Sequence, residues 1–158
     1  MKPDYLFTAG WRVFFLAAGL WAVISVAVWL LWLLGLLDAA HLNMAPQMWH
    51  AHEMLFGFTL AVLTGFLLTA GQNWSGQSTP KGAYLGALAA LWVAGRILVL
   101  SPWGWLAAGV NVAFPLAAAT ALAIPLYRAR NRRNYFFVGL LLLMAVAQLG
   151  VHLDALGA

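Results

Sequence analysis

The stretch Trp49-His50-Ala51-His52-Glu53-Met54-Leu55-Phe56-Gly57 places three ionisable side chains within four positions of a chain that is otherwise nearly free of them. Neutral imidazole is a good ligand for haem iron and for copper. A carboxylate beside it can orient the ring and hold its tautomer. Outside this stretch the chain offers His41, His152 and one isolated cation, Arg96, flanked by apolar residues on both sides. There is no cysteine, which excludes disulfides, thiolate-ligated metal clusters and thiol catalysis. On a regular helix His50 and Glu53 lie about 60° apart, whereas His50 and His52 lie about 160° apart. The two histidines therefore either serve different partners or begin the helix in an irregular turn that points both inward.

These residues need elements to hold them, and composition says what those are. Of 158 residues, 65% are hydrophobic and 8% are charged; roughly 45–50% and about 25% are usual in soluble domains. That excludes a soluble globular protein and a disordered tail. The net charge is +4, and four of the eight cations sit in one short run, Arg128 to Arg133, with no aromatic groove around it, so nucleic-acid binding is not expected. A bilayer-spanning helix takes about 20 apolar residues. The sequence predicts an all-α, polytopic transmembrane helix bundle in one domain over 1–158, with about five spans. These are 13–37, 50–70, 82–100, 105–127 and 134–153. The first is too long for the apolar core of a signal peptide and reads as a retained helix. Ser101-Pro102-Trp103-Gly104 separates the third from the fourth, and Pro115 and Pro125 predict a kink within the fourth.

The cations orient the bundle. With five spans, Lys2, Arg12, Lys81, Arg128, Arg130, Arg132 and Arg133 all fall on one side, and the loops of the other side carry none. The positive-inside rule makes the first side cytoplasmic. The expected orientation in a bacterial inner membrane is N-terminus cytoplasmic and C-terminus periplasmic. Trp49, Trp103 and Trp105 are then expected at the outer interface, and Trp11 and Trp74 at the inner one. Gly82 and Gly86 fit a small-residue helix-packing pattern.

Orientation brings the chemistry to one depth. His50, His52 and Glu53 open the second span at its outer end, Arg96 lies about one turn before the outer end of the third, and His152 closes the fifth. Histidines at one depth on separate helices suit a haem or metal site, and Arg96 is the cation placed to meet haem propionates. The candidate cofactor residues are His50, His52, Arg96 and His152; the candidate metal ligands are His50, His52 and His152, with Glu53 in support. Glu53 lies on the face of His50, which slightly favours His50 as the haem ligand. The bland alternatives are interfacial histidines, a first-turn carboxylate favoured by the helix dipole, and an Arg96–Glu53 pair that is purely structural.

The string from Trp49 to Phe58 resembles the NnrS family. The resemblance continues through Gly65-Phe66-Leu67-Leu68-Thr69-Ala70, Asn73-Trp74-Ser75-Gly76, Leu91-Trp92-Val93-Ala94-Gly95-Arg96 and the segment Arg130 to Phe137. It implies a bacterial inner-membrane protein containing haem and copper, linked to nitric oxide metabolism and resistance to nitrosative stress. Members of that family are larger and have additional helices. The chain is then a piece of a longer protein, a short relative, or a subunit that completes its site as a homo-oligomer. The expected partners are membrane lipid and nitric oxide as a ligand. The alternative reading is a non-catalytic membrane module that assembles with a metalloenzyme or protects it. A transport or channel fragment fits less well, because the inner half of the bundle has no charged or histidine path.

Overall fold

The computed structural model describes residues 3–40 and 42–158; His41 lies outside the described residues. Among them the chain is all-helical. After a short tight turn at Pro3–Thr8 come α1 (Gly10–Leu33), α2 (Pro46–Ser75), α3 (Gly82–Leu98), α4 (Gly104–Arg128) and, after a tight turn at Arg132–Asn134, α5 (Tyr135–Leu156). Helices α1, α2, α4 and the Arg132–Leu156 segment are long and apolar enough to cross a membrane; α3, with 17 residues, is shorter. At 1.5 Å per residue, α3 covers about 25 Å of a hydrocarbon core about 30 Å thick.

Local chemistry sets the helix ends. Gly35 takes a left-handed conformation (φ 69°), and the Leu36 N–H reaches back to the Leu31 carbonyl at 2.9 Å, so α1 stops at Leu33 although the apolar run continues to Leu37. Helix α2 starts at Pro46, whose missing N–H is no loss at the first helical position. It runs on to Ser75, where the Ser75 hydroxyl bonds the Gly71 carbonyl at 2.6 Å, and Gly76 (φ 64°) ends it. The turn-rich composition after Ala70 thus begins inside the helix. Helix α4 passes through Pro115 and Pro125 without a break.

The helices pack as neighbours α1–α2, α2–α4, α3–α4 and α4–α5. Phe14, Leu60, Leu67, Leu68, Leu85, Leu122 and Leu141 fill the main core. Close approach occurs where side chains are absent: a Cβ at Gly10 would lie 2.9 Å from Leu68, and one at Gly65 would lie 3.0 Å from Phe14. Gly82 and Gly86 make no such approach to another helix. A second apolar cluster, Met44, Trp49 and Val99, sits at the opposite end from the arginine-rich turn. Trp49 is fully buried there, edge-on to Trp32 at 4.7 Å, rather than at a lipid interface. Trp103 and Trp105 are exposed, as interface anchors should be.

Candidate functional site

The first turns of α2 send their polar side chains in different directions. His50 turns to α1 and stacks on Trp29, with ring centroids 4.1 Å apart and planes 10° off parallel. His52, about 160° around the helix, is buried on the other side. From Glu53 to Thr59 the helix widens into a π-helical stretch, and the Thr59 hydroxyl bonds the Met54 carbonyl at 2.8 Å. Such widened turns recur at functional sites because they re-aim side chains and free backbone carbonyls. Here the Gly57 carbonyl accepts a hydrogen bond from Trp92 Nε1 at 3.1 Å.

Glu53 is the hub. It is wholly buried, and its two oxygens accept three side-chain hydrogen bonds from three helices. His52 Nδ1 lies 2.8 Å from Oε1; Trp21 Nε1 donates to Oε2 at 2.6 Å and Arg96 Nη1 to the same oxygen at 2.9 Å. Gly57 is what makes room for them. A Cβ there would lie 2.6 Å from Glu53 Oε2, 2.8 Å from Arg96 Nη1 and 2.9 Å from Trp21 Nε1. The Arg96–Glu53 ion pair is net neutral, which is how a buried carboxylate is tolerated.

The network continues into α4 and α5. Arg96 Nη2 donates to Asn111 Oδ1. Asn111 is itself fixed by donating to the Ala107 carbonyl at 2.9 Å and the Gly95 carbonyl at 3.2 Å. Gln148 Nε2 donates to Asn111 Oδ1 at 3.2 Å and lies 3.4 Å from His52 Nε2. His152, one turn after Gln148, meets His52 edge-to-face with ring centroids 5.0 Å apart and planes at 75°. All five helices therefore contribute to one buried polar cluster. Three of its atoms have no hydrogen-bond partner among the described residues, His152 Nε2, Gln148 Oε1 and Arg96 Nε; outside the cluster the same holds for His50 Nδ1.

The sequence-predicted residues sort accordingly. His52, Glu53, Arg96 and His152 come together. His50 is separate, and Glu53 braces His52 instead of His50. Arg96, expected as a cation for haem propionates, is 3% exposed and has its two terminal nitrogens engaged by Glu53 and Asn111. Trp21, Asn111 and Gln148 were not foreseen. The signal for two of them was present: Asn111 and Gln148 are uncharged polar residues inside apolar helices, and Gln148 stands four positions before His152.

The profile described as NnrS protein matches residues 5–158. The chain belongs to the NnrS family. No curated protein and no solved structure matches it. The haem and copper that the family resemblance implies can be tested against this NnrS-family site. An iron held between two axial imidazoles sets their ring centroids about 6 Å apart, counting about 2 Å per metal–nitrogen bond, and needs a slot for the macrocycle. His52 and His152 are closer than that, buried, and packed against Phe56 and Gln148. They do not fit a porphyrin between them. A compact ion fits better, because His52 Nδ1 is held by Glu53, leaving Nε2 as the ring's lone-pair nitrogen, and His152 Nε2 is unengaged. No group of three His, Asp or Glu side chains forms a ligand set among the described residues, so a third donor would be of another type. His50 is half-buried and outside the cluster, with one ring face covered by Trp29 of α1.

Proposed function

We propose that this chain is a membrane metal- and haem-binding protein of NnrS type that acts in the response to nitric oxide and in resistance to nitrosative stress. The observation that carries the reading is the buried carboxylate–imidazole pair, Glu53 with His52, placed beside a second buried imidazole in an apolar bundle. Carboxylate–histidine pairs of this kind orient metal ligands and raise their basicity. A bundle that needed only a structural ion pair would have no use for two further histidines, one with an unengaged buried nitrogen.

In this reading His52 and His152 hold copper, and His50 is the haem ligand. Stacking on Trp29 fixes the plane of the His50 ring; its Nδ1 is buried without a partner among the described residues, which leaves Nε2 as the nitrogen to meet a ligand. Bound haem or copper would supply nitric oxide binding and one-electron transfer. The protein's own part is to hold the imidazoles at fixed angles, neutralise Glu53 with Arg96, and keep bulk water out. The functional end faces the periplasm and the arginine-rich turn faces the cytoplasm of a bacterial inner membrane, following the distribution of cations. One imidazole on an open face leaves a haem incompletely enclosed, which favours a homo-oligomer or additional helices that cover α1.

The test is the absorption spectrum and metal content of protein purified from bacterial membranes supplied with haem and copper. A Soret band that shifts on adding nitric oxide, with copper in stoichiometric amount, is the expected result. A colourless, metal-free preparation overturns the reading in favour of a module that only assembles with a metalloenzyme.

A further inference from the structure

Three atoms in the buried cluster could together hold a cation. His152 Nε2 and Gln148 Oε1 are buried with no hydrogen-bond partner among the described residues, and the ring nitrogen is an acceptor when the proton sits on Nδ1. His52 Nε2 faces only the Gln148 amide N–H, at the long distance of 3.4 Å. Leaving a buried acceptor unsatisfied costs about 1–3 kcal/mol. Gln148 and His152 are one helical turn apart and so share a face of α5, and both are no more than 2% exposed.

The ring geometry adds a constraint. A metal–imidazole bond of about 2.0–2.1 Å puts each ring centroid about 3.1 Å from the ion, so two imidazoles at a tetrahedral angle have centroids about 5 Å apart and a linear pair about 6 Å apart. His52 and His152 are 5.0 Å apart. A bent pair leaves coordination positions open, and one of them needs a further donor. The adjacent candidate is the Gln148 amide oxygen.

We infer that Gln148 is the third ligand of a compact first-row metal ion held by His52 and His152. This deepens the proposed copper site and rests on it. Two imidazoles with one carbonyl-type oxygen suit Cu(II) or Zn(II), and the affinity order for such ligands favours copper. In the unloaded state the Gln148 N–H caps the His52 lone pair, and rotation of the amide exchanges this N–H for Oε1 on loading. No proton has to leave, because the His52 Nδ1 proton stays with Glu53. In the unloaded state Asn111 Oδ1 also accepts from Gln148 Nε2 at 3.2 Å, a hydrogen bond that the rotation gives up.

The experiment titrates Cu(II) into purified, metal-stripped protein and reads stoichiometry, affinity and the electron paramagnetic resonance spectrum for wild type, Gln148→Leu and Gln148→Glu. Wild type should bind one Cu(II) per chain with splitting from two imidazole nitrogens. Gln148→Leu should keep that splitting but bind at least about tenfold more weakly, at the lower end of what losing a supporting group costs. Gln148→Glu should bind at least as tightly as wild type with a shifted spectrum, because a carboxylate oxygen replaces the amide. If Gln148→Leu does not fold, the Gln148→Glu spectrum alone decides. Wild-type copper binding with affinity and spectrum unchanged in whichever of these variants folds overturns the role of Gln148 while leaving the copper site standing. Absence of copper binding in wild type overturns both.

Discussion

Gly57→Ala adds one methyl group at the most crowded polar point of the bundle. The new carbon would lie within 2.6–2.9 Å of Glu53 Oε2, Arg96 Nη1 and Trp21 Nε1. None of these can retreat freely, since each is tied to at least one of the others and all come from different helices. Relief requires the Glu53–Arg96 contact of 2.9 Å to open in a site where both residues are at most 3% exposed. Disrupting a buried pair so that a charge is left uncompensated costs about 3–5 kcal/mol. Alanine returns up to about 1 kcal/mol of helix propensity over glycine. The net expectation is a loss of about 2–4 kcal/mol, read by thermal or denaturant unfolding in detergent. Gly109→Ala is the control, because a Cβ there meets nothing within 4 Å in the same bundle; it should be neutral or stabilising by up to about 1 kcal/mol. Gly57→Ala in a Glu53→Gln background should cost clearly less than in wild type, since contacting sites are not additive. A Gly57→Ala protein as stable as the Gly109→Ala control would refute the packing reasoning.

The remaining expectations concern partners of the same cluster and the orientation of the chain. Arg96→Met leaves Glu53 buried and unpaired and should cost about 3–5 kcal/mol in unfolding experiments, whereas Arg96→Met with Glu53→Gln should recover part of that loss. His50→Ala and His52→Ala should have unequal effects: haem content, read by pyridine haemochrome, should fall with the first, and copper content, read by metal analysis, with the second. Equal retention of both cofactors in both variants would contradict the assignment. Reporter fusions after Ala158 should be active with a periplasmic reporter and silent with a cytoplasmic one; the reverse pattern would place the histidines at the inner surface.

How much of this was legible in the sequence differs between depth and direction. The depth of Glu53, Arg96 and His152 followed from where charges bound apolar runs, because a helix rises a fixed distance per residue. Direction around the helix was less accessible. The regular 100° step separated His50 from His52 correctly, but the π-helical stretch beginning at Glu53 could not be foreseen, and Glu53 was assigned to the wrong histidine. Asn111 and Gln148 carry no charge and so stand out less in the sequence, although a polar amide in an apolar helix also needs a partner. Tryptophan is common at membrane interfaces, yet Trp49 fills a cluster with Trp32, Val99 and Met44. The helix ends at Gly35 and Pro46 were set by backbone conformation, which hydropathy does not encode.

The shortness of α3 has a consequence for how the protein is made. A helix of 17 residues carrying Arg96 in its last turn is a poor candidate for independent insertion, since it is shorter than the hydrocarbon core and carries an arginine, which costs about 2.5–3.5 kcal/mol at the centre of a span and less toward its end. Its counter-charge is on α2, which leaves the ribosome first. Glu53 can therefore wait in the membrane, itself an unfavourable guest, until Arg96 arrives, and each makes the other's residence tolerable. Biogenesis of the bundle thus depends on the order of synthesis. A chain that loses Glu53 would leave Arg96 in α3 without its counter-charge, whereas one that loses Arg96 would make α3 easier to insert and leave Glu53 as the unpaired guest in α2.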